Sequence, residues 1–189
     1  NYLAPCWTAG LKGAFDNMNR TSVSVVSGDI TQTKADALIT AINSGGMWFG
    51  GIDGVIQRVA GNFFHQQAAS SMPLEDGQTV VALSKGHSHG GAFTNVVFVV
   101  DDLKLPLREV VCNGLKAASG AGFKLVSLPT IRMGVMLGVV EKSKDEAVNE
   151  MVGGIKKFAE EHPDTTLKTI TLVVYNDPET QSLLQKTLG

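Results

Sequence analysis

Apolar runs of strand length alternate along the chain with segments in which apolar residues recur every three or four positions. The short runs predict buried strands, at residues 23–26, 37–42, 79–83, 96–100, 125–128 and 170–175. The segments with helical spacing predict helices, at residues 55–69, from Pro106 to residue 118, and from Ser143 to Pro163. Ser143 and Glu146 form a capping-box pattern, and Asp177 before Pro178 predicts the start of a last helix.

Strands that alternate with helices favour crossover connections, which produce a largely parallel sheet covered on both faces. Residues 79–83 and 96–100 follow each other without a helix between them, so we expect one antiparallel pair. The pattern therefore predicts an α/β fold, a three-layer α/β/α sandwich with a mixed, largely parallel central sheet. Residues 1–20 are the least periodic part, and we interpret them as an N-terminal extension before a single domain at 21–189.

Composition narrows the classes of function. The 189 residues carry a formal net charge of −2, whereas a dedicated nucleic-acid binder usually presents a basic face. No apolar run reaches the length of a membrane span and no signal peptide is visible, so we expect a cytoplasmic protein without membrane contact.

Cys6 and Cys112 are interpreted as reduced thiols, and His87 and His89 as a solvated turn. No metal or cofactor is expected.

A glycine-rich loop follows the second predicted strand. Asn43 opens the loop, Gly50 and Gly51 close it, and Ile52 and Asp53 lead into the next helix. Backbone N–H groups in such a loop, together with the positive end of the helix, suit a phosphate or a pyrophosphate. The loop therefore predicts a ligand that carries phosphate, with two polar side chains able to contact sugar hydroxyls.

Polar and aromatic residues follow other predicted strand ends as well. Asp29 comes after the first strand, residues 132–137 come after the fifth, and Tyr175 ends the sixth. In parallel α/β sheets, ligands bind beyond the carboxyl ends of the strands. These residues and Asn43 are therefore expected to line one site.

An ordered set of motifs joins these positions: Gly-Asp-Ile-Thr at 28–31, Asp-Ala at 36–37, Asn43, Gly-Gly-Ile-Asp at 50–53 and Arg-Val-Ala-Gly at 58–61. The set resembles the macro domain, an ADP-ribose-binding module, over residues 21–188. The spacing from residue 43 to residue 53 is similar to that of macro domains that hydrolyse ADP-ribosyl esters on proteins or on small molecules such as O-acetyl-ADP-ribose.

The resemblance implies an adenine site. Asp29 would accept a hydrogen bond from the adenine amino group, and the N–H of Ile30 would support the ring. Tyr175 would lie against the adenine, and Asn176 would reach the same pocket. Without the resemblance, Asp29 is equally interpretable as a turn or helix cap, and Tyr175 as a partly buried aromatic at a strand end.

The resemblance also implies a site for the distal ribose. Asn43 and Asp53 would hold this ribose as the catalytic pair, with Asp53 orienting water or stabilising positive charge on the sugar. The alternatives are a turn residue for Asn43 and a helix cap for Asp53. Two loops would cradle the diphosphate through their backbones, at Gly50, Gly51 and Ile52 and at Gly134 and Val135.

The second of these loops departs from the family pattern. Met136 stands where an aromatic ring usually covers the distal ribose, and Leu137 replaces a glycine. Arg132 replaces a small residue, and it is interpreted either as a partner of phosphate or as a solvated loop cation. These departures put the geometry around the distal ribose in question.

The expected function is that of a mono-ADP-ribosylhydrolase acting on ADP-ribosyl esters, with ADP-ribose or an ADP-ribosylated protein as partner. The alternative is a non-catalytic reader that uses the same pocket to recruit a modified protein. The catalytic pair favours the enzyme, and the unusual second loop favours the reader. A third hypothesis, a binder of another nucleotide or of single-stranded nucleic acid, is disfavoured by the net charge of −2.

Overall fold

A computed structural model describes residues 21–45, 51–134 and 136–189. The strands are Ser22–Ser27 (β1), Ala35–Ile42 (β2), Thr79–Ala82 (β3), Phe93–Val100 (β4), Leu125–Pro129 (β5) and Thr169–Val174 (β6). The helices are Ile52–Ala60 (α1), Phe63–Ser70 (α2), Leu107–Gly120 (α3), Lys144–Glu161 (α4) and Pro178–Leu188 (α5), with a 3₁₀ turn at Ile30–Gln32. The predictions for residues 1–20, Cys6, Gly50 and Val135 lie outside the described residues.

The six strands of the described ranges form one sheet in the order β1-β6-β5-β2-β4-β3. Every neighbouring pair is parallel except β3 and β4, which run antiparallel. The antiparallel pair arises because only a loop joins these two strands, whereas parallel neighbours need a crossover. The predicted mixed, largely parallel sheet is confirmed.

Side chains of β2 alternate between two apolar cores, one on each face of the sheet. Ala37 and Ile39 pack in the core that includes α3, α4 and α5. Leu38 and Ile42 pack in the core that includes α1 and α2. Because both faces of the central strands are covered, these strands have continuous apolar sequences instead of alternating ones. The predicted three-layer sandwich is confirmed.

The prediction of one continuous helix over 55–69 is wrong. Gly61 adopts a φ of +61° and ends α1, and its N–H donates to the carbonyl of Gln57 at 2.8 Å. Glycine takes this left-handed conformation at little cost. The chain then begins a second helix at Phe63. This break lets His65 of α2 contact the first turn of α1.

The other helix starts agree with the capping signals. The hydroxyl of Ser143 accepts from the N–H of Glu146 at 3.1 Å, and a carboxylate oxygen of Asp177 accepts from the N–H of Thr180 at 3.2 Å. Pro106 immediately precedes α3 instead of occupying its first turn. Of the helices in the described ranges, none has the length and apolar content that crossing a membrane requires.

Candidate functional site

A cleft lies at the carboxyl ends of the parallel strands. It has two compartments, of about 490 Å³ and about 160 Å³, which we name the outer and the inner compartment. The two adjoin, since both are lined by Gly51, Ile52, Pro129, Thr130 and Gly134. The cleft therefore lies at the sheet edge where the sequence predicts a ligand.

The outer compartment is lined by Asp29, Ile30 and Tyr175. One carboxylate oxygen of Asp29 accepts from the N–H and the hydroxyl of Thr31, at 2.9 and 2.7 Å. Asp29 is therefore a cap of the 3₁₀ turn as well as a lining residue. Tyr175 is 76% exposed, so the alternative of a partly buried strand-end aromatic is wrong. Its ring is available to a flat ligand.

Two charged residues in the outer compartment appear in the sequence analysis only within a motif and as a helix start, without an expected ligand contact. Arg58 reaches the compartment from α1, and Asp177 reaches it from the start of α5. Asn176, which was expected there, is exposed with a φ of +48° and is not among the described residues that line the cleft. Arg58 and Asp177 reach the compartment because of the orientation of α1 and α5, which no local sequence pattern specifies.

The border between the compartments is formed by the two glycine positions that the resemblance assigns to the diphosphate. Gly51 precedes α1 with a φ of +42°, a conformation that strains any residue with a Cβ. Gly134 has an ordinary φ, and a Cβ added there would meet open space. Both glycines are exposed, and no atom of the described residues lies within 4 Å of a Cβ built at either position.

The inner compartment contains Asp53 and Met136. Asp53 lies in the first turn of α1 and is only 2% exposed. Gly51 is the N-cap of that helix, so the alternative of Asp53 as its cap is wrong. The Asp53 carboxylate lies 3.4 Å from the Nε2 of His65, a residue absent from the sequence-based candidates. A buried carboxylate on the wall of a pocket is a candidate for acid–base or electrostatic work.

Asn43 follows β2 directly and is half-buried. It is not among the positive-φ residues of the described ranges, so the alternative of a positive-φ turn residue is wrong. It is also not among the described residues that line either compartment. Its predicted contact with the distal ribose stays a prediction.

Arg132 is a buried member of an ion-pair cluster. Its guanidinium donates to both oxygens of Asp101 at 3.0 and 2.7 Å, to Glu141 at 2.9 Å and to the carbonyl of Leu105 at 2.7 Å. The side chain is 1% exposed, so the alternative of a solvated loop cation is wrong. The predicted pairing with phosphate is also unsupported, because these protein oxygens already occupy the guanidinium.

The cluster fixes one wall of the inner compartment, which Arg132 and Asp101 both line. Burial opposes the charge on Arg132, but hydrogen bonds to Asp101 and the charges of Asp101 and Glu141 outweigh it and raise the pKa of the guanidinium. The partners lie 31 and 9 residues away along the chain. Arg132 therefore anchors the loop that follows β5, to which it belongs, and so shapes this wall of the site.

The remaining sequence candidates have packing contacts. The ring of His87 stacks on Phe63 at 4.4 Å, and His89 accepts from the N–H of Gly91 at 3.1 Å. The described residues contain no group of three His, Cys, Asp or Glu side chains placed to hold a metal ion. Burial raises the pKa of the Cys112 thiol to about 11, so this thiol is protonated at neutral pH and acts as a packing group.

Comparison with known proteins gives distant relatives in sequence. No protein-family model matches the chain. An O-acetyl-ADP-ribose deacetylase of Escherichia fergusonii is 29% identical over 128 residues, which cover 61% of this chain and 70% of the relative. The ADP-ribose glycohydrolase MACROD1 of Mus musculus is 23% identical over 173 residues, which cover 87% of this chain and 51% of that protein.

The fold has solved counterparts. A Trypanosoma brucei macrodomain in complex with ADP-ribose matches with a TM-score of 0.74 at 22% identity, over 92% of this chain and 71% of the other. The three-layer arrangement expected from the alternation of strands and helices is therefore shared with that structure. The likeness to this solved macrodomain shows that the chain has the macrodomain fold.

Proposed function

We propose that this macro domain binds ADP-ribose in the cleft and hydrolyses ADP-ribosyl esters on proteins or small molecules. The observation that carries the proposal is the order of groups along the cleft. Asp29 and Tyr175 lie in the outer compartment, two glycine backbones form the border, and Asp53 lies in the inner compartment. ADP-ribose has the matching order of adenine, diphosphate and distal ribose. The names of the Escherichia and mouse relatives support the same ligand class.

The outer compartment suits adenine. Tyr175 offers an exposed ring for stacking on the flat base. Both donors of Thr31 use the same carboxylate oxygen of Asp29, so its second oxygen is available to an adenine amino group. A carboxylate that accepts from this amino group distinguishes adenine from guanine, which presents a carbonyl oxygen at the corresponding position.

The border suits the diphosphate. Gly51 begins α1, so backbone N–H groups and the positive end of the helix point toward an anion at this place. Gly134 reaches the border from the loop after β5, and as a glycine it carries no side chain of its own between its backbone and a ligand. Because Arg132 is held by Asp101 and Glu141, binding of the diphosphate relies on backbone groups instead of that cation.

The inner compartment suits chemistry at the distal ribose. Cleavage at the anomeric carbon places positive charge on the sugar, and the buried Asp53 carboxylate would stabilise that charge. Water attacks the anomeric carbon as the bond between this carbon and the acyl oxygen breaks. The modified acid leaves as a carboxylate, and ADP-ribose keeps the oxygen that came from water. The proton from water passes to Asp53 or to the ligand's diphosphate.

A second candidate function is that of a non-catalytic ADP-ribose reader. It is favoured by Met136, which lines the inner compartment. At this position the resembled family usually has an aromatic ring that covers the ribose. It is also favoured by the position of Asn43, which is not among the described residues lining the cleft. Release of ADP-ribose from an automodified protein and from O-acetyl-ADP-ribose tests between the two. Tight binding without any release would contradict the enzyme and leave the reader.

ADP-ribose should bind at least about tenfold more tightly than AMP. AMP fills the outer compartment but lacks the second phosphate for the border and the ribose for the inner compartment. Calorimetric titration with ADP-ribose, ADP and AMP measures the difference, with affinity expected to rise with each added group. Equal affinities for AMP and ADP-ribose would contradict the proposed ligand.

Gly134→Val should weaken ADP-ribose binding by about tenfold while the melting temperature stays close to that of the wild type. A Cβ at residue 134 has no atom of the described residues within 4 Å, and the branched side chain would extend into the border, which phosphate oxygens are to occupy. Gly134 is a cleaner test than Gly51, whose φ of +42° adds backbone strain to any substitution.

Gly120→Val is the matched control for that substitution. Gly120 also has an ordinary φ and open space around it, but it ends α3 and does not line the cleft. The control should keep wild-type affinity. Unchanged affinity in Gly134→Val as well would show that the ligand does not pass the border.

A further inference from the structure

The carboxylate of Asp53 has a partner that comes from a different helix. The Nε2 of His65 lies 3.4 Å from Oδ1 of Asp53, and both residues are 2% exposed. With the Nε2–H tautomer of His65, the ring nitrogen donates to the carboxylate, whose oxygens accept. Because a buried polar group is costly without a hydrogen-bond partner, His65 supplies Asp53 with a partner at this position.

The fold holds the imidazole of His65 in place. His65 lies on α2, which begins after the break at Gly61, and this break turns the second helix back toward the first turn of α1. The ring also packs against the ring of Phe98 on β4, with centroids 5.1 Å apart and planes inclined at 57°. With a ring this deeply buried and packed from the sheet side, the direction of Nε2 is set by packing.

We propose that His65 is a positioning residue that aims the Asp53 carboxylate at the distal ribose in the inner compartment. The inference rests on the proposed binding of ADP-ribose. Asp53 is among the described residues that line the inner compartment and His65 is not, so we expect His65 to act on the ligand through its contact with Asp53. Binding of the carboxylate to ribose hydroxyls depends on its orientation, which a fixed donor behind it maintains.

The test compares ADP-ribose with ADP, which lacks the distal ribose. Their affinity ratio is measured by calorimetry for the wild type, His65→Leu, His65→Gln, Asp53→Asn and the double variant His65→Leu/Asp53→Asn. We expect the preference for ADP-ribose to fall about tenfold in His65→Leu, the order for a lost hydrogen bond to a charged group. His65→Gln should retain most of the preference, because its amide also donates.

The double variant separates positioning from a general effect on the fold. If His65 acts through Asp53, the double variant should lose no more preference than Asp53→Asn alone, because the two side chains form one unit. Affinity for ADP and the melting temperature report on the fold. His87→Gln is the matched control, since His87 is exposed and outside the cleft, and it should resemble the wild type.

Three results would overturn the inference. A wild-type preference in His65→Leu would show that Asp53 needs no partner. Losses that multiply in the double variant would show that His65 acts independently of Asp53. Equal wild-type affinity for ADP-ribose and ADP would show that Asp53 makes no ribose contact. The proposed function fails in a different way, when the wild type binds neither ligand, and the inference then fails with it.

Discussion

Replacement of Arg132 by methionine should lower the free energy of unfolding by about 3–5 kcal/mol. The guanidinium is 1% exposed, and its removal leaves the carboxylates of Asp101 and Glu141 buried without their cation. For a chain of this size each kcal/mol lowers the melting temperature by roughly 2–4 °C, so a fall of about 6–20 °C is expected. Methionine keeps much of the side-chain length, so the effect reports mainly the lost charge and hydrogen bonds. The φ of +62° at residue 132 strains both side chains alike.

Arg108→Met is the matched control for this prediction. Arg108 also pairs with a carboxylate, that of Glu150, but the arginine side chain is 50% exposed. An exposed pair of this kind contributes about 0–1 kcal/mol, because water screens the charges. Thermal and denaturant unfolding of both variants measures the difference. Equal, small losses in the two variants would contradict a buried cluster at Arg132.

The sheet and its cleft could be predicted because the signals are local. Strands buried on both faces are apolar throughout, as in residues 37–42, and their order in the chain implies crossovers. Once a parallel sheet is predicted, the residues after each strand end are expected at one edge. This is why Asp29 and Tyr175 are expected in one cleft, where the structure places them, whereas the role of Asp53 came from the resemblance.

The ion pairs in and behind the cleft could not be predicted in the same way. An arginine in a loop usually remains exposed, so nothing near Arg132 in the chain indicates burial. Its partner Asp101 lies 31 residues away and becomes a neighbour only when β4 and β5 are placed in the sheet. Sequence reasoning can identify charged residues, but their pairing depends on tertiary packing.

The contact between Asp53 and His65 was missed for a different reason. A continuous helix over 55–69 would carry His65 away from the start of that helix. The signal for the break was present as Gly61 followed by Asn62, a pair that favours a turn over a helix interior. Apolar residues recur at helical spacing on both sides of this pair, so the pattern predicts one continuous helix. The error in secondary structure therefore concealed the partner of the candidate catalytic residue.

The hydrolase proposal makes a strong prediction for Asp53. Asp53→Asn should lower the rate of ADP-ribose release by about 100-fold, the lower part of the range for a lost acid–base group. The amide matches the carboxylate in volume but can neither take a proton from water nor stabilise a positive sugar. Affinity for ADP-ribose should fall much less, because the lost interaction is strongest in the transition state.

Asn43→Ala is the informative companion to that variant. The resemblance assigns Asn43 to the same ribose, yet Asn43 is not among the described residues that line the inner compartment. A rate at least about tenfold lower in Asn43→Ala, with affinity changed less, would support a shared role at the ribose. A wild-type rate would leave Asp53 as the single candidate of the pair.

Single-turnover release from an automodified protein measures these rates, with calorimetry on the same preparations for affinity. A rate in Asp53→Asn equal to that of the wild type would contradict the catalytic role of the carboxylate. If the wild type binds ADP-ribose but releases none, the reader is favoured and Met136 becomes the residue to change. Met136→Phe combined with Leu137→Gly restores the aromatic and the glycine that the resemblance expects in this loop. Release that appears only in this double variant would assign the missing activity to the second loop, since Asp53 would then be present and unaltered in both proteins.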